Sequence, residues 1–556
     1  MDKKHRLIND NIYNHIEYTK IEGYFLQTKI VNRLLFITQN ALAYFAFPSI
    51  NTKRYIHSIG TMYLSSHMLK NSLLNSQNDV LDSFLKGLRK SISKIIKEKN
   101  LTIDLENLDF LDDKSLYEFT IPTKSKLHNN IYILILQALR LVGLLHDVGH
   151  FPFSHQIEYT FEKIHNNLLK KKKHSNKELE FINFYQSLTN NNQYVLHEAI
   201  GKRFVDLLFE YEIKEQFDDT YHQDYLILLH TLCNNIFNEH KDEYFSYEVL
   251  HKYIDSSVDA DRLDYINRDM LSSGYISGAV DLIRITKQAI IIKQDNSFVL
   301  SFYDQGLLDI EHMLEMRFNL YKKIIYNHEI ARSDTLLETV ILFLTNNYFN
   351  NNEKQEEILD SISMLWKFLD SNNNEKKLDI ISQLDENWLI SLFKKEYFKI
   401  KYKQNKTSQD KKYLHSFEEV LFGKTFFKSM WKNLNDFYNV LELSKNNRYK
   451  FRESFGNTNK KKTKQLKEEL DKFIQKWQEK DDELFLTYHI VSLSTGVSKN
   501  FNLYDGENLI SIDQVSTLRK RLKKSMLNSV PFFLYSNKKI VCTQMKEDIK
   551  NILFGI

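Results

Sequence analysis

Four prolines in 556 residues leave long stretches of chain in which nothing interrupts a helix, because an internal proline deletes a helical hydrogen bond and clashes with the preceding turn. Glycine, at 14, is also sparse. Leu, Lys, Glu, Asn and Ile recur at helical spacing, which favours helices over a sandwich or barrel. The chain therefore reads as mainly α, and its length predicts two or three packed units.

Residues 1–345 read as one helical unit, with dense apolar periodicity from about Lys20 to Leu344. One break falls at residues 289–304, AIIIKQDNSFVLSFYD, where two β-rich runs around Asp295 and Asn296 predict a hairpin. Residues 101–124 predict a second hairpin. Over 346–483 the composition shifts to Lys, Glu and Asn, and segments such as NNNEKQEEILDSISMLWKFLD read as amphipathic helices joined by Asn-rich loops. From Leu484, LFLTYHIVSLSTGV, NLISID and PFFLYS predict short strands and QMKEDIKNILF a helix, so residues 484–556 form a small α/β lobe.

A formal charge of +4 from 76 basic and 72 acidic residues gives no overall basic field. Nucleic acid is thus an alternative partner rather than a required one, and the lysine runs 170–173 and 460–464 read as solvated loops. Two cysteines, Cys233 and Cys542, make neither a disulfide framework nor a thiolate zinc site, which fits a reducing, cytoplasmic setting. The N-terminal MDKKHRLINDN lacks the apolar core of a signal peptide. The most apolar stretch, Ile131 to Leu145, carries Gln137 and Arg140 and is expected to be a buried helix, with no membrane involved.

At the end of that stretch stands HDVGHFPFSH, residues 146–155, with three histidines and an aspartate against an apolar helix. Unpaired polar groups are costly there. Imidazole with carboxylate suits Mn, Fe, Zn or Ni, although a His-Asp pair taken alone can also be a helix-terminal hydrogen bond. Gly149 and Pro152 are expected to turn the chain so that His150 and His155 face one cavity. Two further blocks bear on the choice. NTKRYIHSIGTMYL places His57 beside Arg54, and SVDADRLDYINRDM places Asp259, Asp261, Asp264 and Asp269 together. On a helix Asp261, Tyr265 and Asp269 form one stripe, joined by Arg262, and such a mixture suits the wall of a polar pocket better than a core.

The order His57, His146-Asp147, Asp261 resembles the H…HD…D signature of HD-domain metal-dependent phosphohydrolases. Within them, RYIHSIG, HDVGHFPFSH and DADRLDYINRD most resemble the dNTP triphosphohydrolases, including those that pair the HD domain with a sterile-alpha-motif domain. The resemblance covers roughly residues 25–344. It implies that His57, His146, Asp147 and Asp261 ligate one transition metal, with Mg²⁺ accompanying the triphosphate. It implies His155 as general acid toward the leaving 5′ oxygen, Glu158 as its orienting group, and His150 and His197 as further site histidines. With 19 histidines in the chain, His197 can also be an ordinary helix residue.

The same resemblance assigns Gln39 and Asp269 to the sugar 3′ hydroxyl, Tyr265 to the sugar face, and Arg54, Arg262 and Arg317 to phosphates, with Tyr321 beside them. It implies a dNTP substrate, a nucleotide activator and a homo-oligomer. The alternatives are an HD phosphohydrolase or nuclease acting on another nucleotide or single-stranded DNA, or a nucleotide-binding sensor without turnover. Three departures stand out. In RFNLYKKIIYNHE the second tyrosine, which in the family packs under C2′ and excludes ribose, comes one residue late at Tyr326, with Ile325 in its place. In QTKIVNRLLFITQ the chain keeps Thr28, Arg33 and Gln39 but has Gln27 and Leu35 where the vertebrate-type enzymes read guanine with Asp and Arg. No room is expected for a sterile-alpha-motif domain ahead of the HD core.

Overall fold

The structure is a computed structural model that describes residues 6–555 apart from residues 112, 191–194, 276–277, 296, 351–357, 456–459, 492–499, 527–528 and 540–541. It is mainly α, with small antiparallel sheets. The centre is a layer of three helices: Arg54–Asn75 packs against both Lys126–Leu145 and Ala260–Ser272, while Thr220–Phe237 covers the far side of Lys126–Leu145.

Helix Lys126–Leu145 is the only one among the described residues long and apolar enough to cross a membrane. In the fold it is the core helix, buried at every residue from Asn130 to Leu145. Its two polar side chains are paired rather than exposed. Arg140 donates from Nε to Glu22 Oε1 at 2.6 Å and from Nη2 to Oε2 at 2.8 Å, and Gln137 Nε2 donates to Glu22 Oε1 at 2.7 Å. A bidentate pair of this kind satisfies the charge on both sides, and removal of one member leaves the other buried and uncompensated.

The hairpin expected at 289–304 is present as strands Ala289–Gln294 and Ser297–Phe302, with Gln294 facing Ser297. Asp295 takes a φ of 51°, the left-handed backbone such a tight loop requires, and Asn296 lies outside the described residues. The second expected hairpin is absent. Residues 101–124, apart from residue 112, hold loops and a 3₁₀ turn, Lys114–Phe119, whose buried Leu116 and Phe119 cap the core instead of forming a β face. The expected amphipathic helix at 350–370 is likewise replaced in its described part by a 3₁₀ turn, Ile358–Asp360, and one helical turn, Met364–Lys367, with Met364, Leu365, Trp366 and Phe368 all buried. That burial on every side leaves no solvent face for amphipathic periodicity. Lysines 170–173 are exposed between two helices, as expected, but 460–464 opens helix Lys460–Gln478. Its apolar positions Leu466, Leu470, Phe473 and Trp477 are spaced for one helix face and are buried.

In the C-terminal part, strand Phe532–Ser536 is flanked by Leu486–Ile490 and by Lys428–Ser429, and helix Thr543–Gly555 follows. The expected strand run beyond residue 491 falls outside the described residues up to 499. Strands Asn502–Tyr504 and Leu509–Ser511 pair with each other. The three-stranded sheet lies on helix His328–Asn350. That helix buries Asp334, whose Oδ1 has no hydrogen-bond partner. Burial pushes its carboxyl up to about 8. Between about pH 4 and 8 the folded chain holds a proton there that the unfolded chain releases, so this group lowers stability as pH rises. D334N removes that titration at constant size. Its melting temperature should exceed the parent's by roughly 2–4 °C at pH 8, with the gap closing toward pH 4 in a thermal-shift series.

Candidate active site

His57 lies in the first turn of helix Arg54–Asn75 and is fully buried. One turn later comes Gly60, where a Cβ would fall 1.9 Å from Asp264 Oδ1, so only glycine lets helix Ala260–Ser272 approach this closely. Through that gap Asp264 Oδ2 reaches His57 Nδ1 at 2.7 Å. Asp264 is itself held by Arg268 Nε at 2.9 Å and by Tyr13 OH at 2.8 Å. A carboxylate on Nδ1 places the proton there and leaves the Nε2 lone pair free.

His146 ends helix Lys126–Leu145, where backbone carbonyls lack helical partners. Its Nδ1 donates to Gly143 O at 2.8 Å, so its Nε2 lone pair is free as well. The two free nitrogens converge on carboxylates. His57 Nε2 lies 3.0 Å from Asp261 Oδ1 and 3.6 Å from Asp147 Oδ2; His146 Nε2 lies 3.7 Å from Asp261 Oδ1 and 3.4 Å from Asp147 Oδ1. Neither Nε2, both buried, has a hydrogen-bond partner. Burial opposes charge on His57, yet Asp261, Asp264 and Asp147 outweigh it and push its pKa up to about 10, a measure of how strongly these carboxylates draw a cation, proton or metal, to Nε2. Two orphaned imidazole lone pairs beside two carboxylates fit a divalent transition metal. Asp147 is also paired with Arg54, whose Nη1 donates to Oδ2 at 2.5 Å.

Beyond Asp147 the chain doubles back. The sequence assigns this turn to Gly149 and Pro152, but the left-handed backbone falls on Phe153 (φ 57°) and Ser154 (φ 54°). Gly149 serves close approach instead. A Cβ there would lie 2.0 Å from His197 O and 2.3 Å from Gly201 N, so helix Leu196–Leu207 rests directly on the loop. The His197 ring consequently stacks on His150, centroids 3.9 Å apart. His155 opens helix His155–Leu168 and Glu158 sits one turn in. Glu158 gathers the three imidazoles: His197 Nδ1 donates to its Oε2 at 2.8 Å, while His150 Nδ1 and His155 Nδ1 lie 3.3 and 3.4 Å from its Oε1. Burial would raise the Glu158 pKa, but His197, with His150 and His155 close by, holds it well below the usual carboxylate range. His150, buried and facing Arg54 and His197, is pushed down to about 3. The donor atoms of His150, His155, Glu158 and His197 also lie within 4.8 Å of one another.

Both clusters border one cavity of about 400 Å³. Gln39, Arg54, His146, Asp147, His150, His155, His197, Asp261, Arg262, Tyr265, Asp269, Arg317 and Tyr321 all line it, with His57 and Glu158 behind the wall. The stripe read on SVDADRLDYINRDM is one side of this cavity. Gln39 Oε1, Asn40 Nδ2, Asp269 Oδ1, Arg262 Nε and Arg317 Nε are buried without hydrogen-bond partners. Burial pushes Asp269 up to about 6. Arg262 is tied to Asp259 and, at 3.2 Å, to Asp255. Ile325 lines the cavity, while Tyr326 packs beside Tyr321 with centroids 6.0 Å apart. Arg33 turns inward, donating to the carbonyls of Val148, His150 and Leu384, and Thr28 caps helix Lys29–Asn32.

Sequence reasoning placed Asp264 among the aspartates without giving it a task. Its signal was the Arg268 one turn on, an i,i+4 ion pair that a solvent-facing aspartate has little use for. Asn40, Ser154 and Glu386 were missed. Asp264→Asn should weaken Mn²⁺ binding about 10- to 100-fold and Asp147→Asn more, whereas His155→Ala should leave it unchanged, as read by chelator competition.

No family model matches the chain. Over 332 residues it is 23% identical to the deoxynucleoside triphosphate triphosphohydrolase SAMHD1 of Gallus gallus, an alignment that takes in 59% of this chain and 43% of that one. It is 24% identical over 336 residues to an HD domain-containing protein of Acanthamoeba polyphaga mimivirus, covering 60% and 56% of the two. The chain thus spans about half the length of these curated relatives. In fold it is similar to a phosphohydrolase of Bacteroides thetaiotaomicron (TM-score 0.55, 17% identity, 96% of this chain and 99% of that). A hypothetical protein of Aquifex aeolicus is similar at TM-score 0.52 and 17% identity, over 98% and 100%. The H…HD…D blocks and the relatives agree: this chain resembles the HD-domain dNTP triphosphohydrolase family.

Proposed function

We propose that the protein is a metal-dependent phosphohydrolase that cleaves dNTPs at the α-phosphorus to deoxynucleoside and inorganic triphosphate. The observation that carries this reading is the distribution of orphaned polar atoms around one cavity. Two imidazole lone pairs stand at one wall, Gln39, Asn40 and Asp269 at another, and Arg262 and Arg317, each with an unpartnered Nε, line the same space. A dNTP presents matching groups: phosphate oxygens for the guanidiniums and a hydroxyl for the amide and carboxylate.

His57, His146, Asp147 and Asp261 would hold the metal, Mn, Fe, Zn or Ni by their chemistry, with Mg²⁺ accompanying the triphosphate. Such a metal lowers the pKa of water and polarises a phosphoryl group. The remaining work falls to the chain. Arg54, Arg262 and Arg317 neutralise phosphate oxygens, Gln39 and Asp269 hold the 3′ hydroxyl, and Tyr265 and Tyr321 pack along the sugar and phosphates. Water adds to the α-phosphorus, the bond from phosphorus to the 5′ oxygen breaks, and that oxygen takes a proton from His155; the proton the water gives up leaves to solvent, from which the exposed His155 is reprotonated. Glu158, through its contact with His155 Nδ1, orients the ring so that Nε2 faces the leaving group. His197, stacked on the neutral His150 and donating to Glu158, keeps that carboxylate ionised. The relatives named for dNTP hydrolysis support a dNTP substrate; a nucleotide activator and a homo-oligomer are part of the same proposal.

With Mn²⁺ or Mg²⁺, purified protein should convert dNTPs to deoxynucleoside and triphosphate, resolved by ion-exchange chromatography across all dNTPs and NTPs, singly and mixed. H155A should lower kcat about 10²- to 10⁴-fold with metal content intact. Release of dNMP and pyrophosphate, or no turnover with any metal, would overturn the assignment.

A further inference from the structure

Glu386 lies in the Lys/Glu/Asn-rich extension, in the first turn of helix Glu386–Lys401, and is 5% exposed. One of its oxygens, Oε1, accepts three hydrogen bonds: from Thr38 N at 2.7 Å, Thr38 Oγ1 at 2.5 Å and Phe153 N at 3.3 Å. These donors belong to two segments far apart in sequence. Thr38 precedes Gln39, and Phe153 is two residues before His155.

The same two segments are tied a second time. Ser154 Oγ donates to Thr38 O at 2.6 Å and accepts from Arg54 Nε at 2.7 Å. Phe153 and Ser154 hold a left-handed backbone that non-glycine residues rarely adopt, and such a backbone persists only where its surroundings over-determine it. Helix Glu386–Lys401 supplies those surroundings. Besides the carboxylate, its Phe393 ring lies parallel to that of Phe153, centroids 6.4 Å apart. The nearest cation to Glu386, Lys53 Nζ, stands 4.0 Å from Oε2. A buried carboxylate with so distant a counter-charge is an inefficient way to add stability, but it is an effective way to hold three donors in a fixed arrangement.

We propose that Glu386 is a positioning residue of the active site. It clamps the segment carrying Gln39 to the loop that delivers His155, so that groups at opposite ends of the substrate keep their spacing. The inference rests on the proposed function for the tasks of Gln39 and His155. It makes the extension part of the catalytic unit.

The test compares E386A with E386Q in the full chain, since the amide oxygen of Gln can accept the same three donors. In E386A, backbone amides of residues 38–41 and 151–155 should exchange hydrogen faster, with protection elsewhere and Mn²⁺ affinity unchanged. Its kcat on the substrate the parent turns over should fall about 10- to 100-fold, and E386Q should restore it to within about threefold of the parent. Exchange and kinetics like the parent's in E386A would overturn the proposal. So would loss of protection across the whole chain, or an E386Q as impaired as E386A. If the parent hydrolyses no dNTP, the proposed function fails by itself, and the local exchange pattern still decides whether Glu386 clamps the two segments.

Discussion

The fold is organised around the problem of keeping ionised groups out of water. Asp147, Asp261, Asp264 and Asp269 approach His57 and His146 from one helix and one helix end, and all but Asp261 are buried. Isolated, each buried charge would cost several kcal/mol. Together they form a chain of compensations: Arg268 and Tyr13 against Asp264, Asp264 against His57, Arg54 against Asp147. This network sets how close the three central helices come, and Gly60 is the point where the packing gives way to it.

Compensation is complete at the back of the site and incomplete at the front. Asp264 has every neighbour it needs, whereas the Nε2 atoms of His57 and His146, Gln39 Oε1, Asn40 Nδ2 and Asp269 Oδ1 have none. Buried polar atoms without partners are rare in folded proteins and require an explanation. Others, Asp334 among them, lie elsewhere in the fold, but those of His57, His146, Gln39, Asn40 and Asp269 surround one cavity, an arrangement that fits a ligand set. The outer arrangement of bonds fixes ring orientation and tautomer, and the inner atoms are left for metal and substrate.

The sequence made the centre of this arrangement legible because its residues sit in short blocks. HDVGHFPFSH and DADRLDYINRD carry their spacing within a turn or two of helix, so periodicity alone brings Asp261, Tyr265 and Asp269 onto one wall. The mainly helical architecture and the hairpin at 289–304 were legible for the same local reason. Glu386 was not, since its partners Thr38 and Phe153 lie more than 200 residues away and nothing near it in sequence signals the contact. The loop at 101–124 was misread because Tyr117, Phe119 and Ile121 are β-prone and alternate as strand residues do, while the 3₁₀ turn that buries Leu116 and Phe119 depends on tertiary partners the sequence does not show. Helix 460–478 hides behind its lysines, and only the spacing of Leu466, Leu470, Phe473 and Trp477 betrays it.

The late tyrosine at 326 shows how local geometry can absorb a departure from a motif. Residues Tyr321–Ile325 form a π-helical turn, closed by Tyr326 N donating to Tyr321 O at 2.9 Å. A π turn holds one residue more than an α turn. Tyr321 and Ile325 border the cavity, and Tyr326 packs behind Tyr321. The wall at that point is a branched aliphatic group with no hydroxyl, beside a cavity otherwise rich in polar atoms. An aliphatic wall distinguishes shapes by contact and cannot pair with a sugar hydroxyl, so whatever this chain discriminates at that position it discriminates by volume.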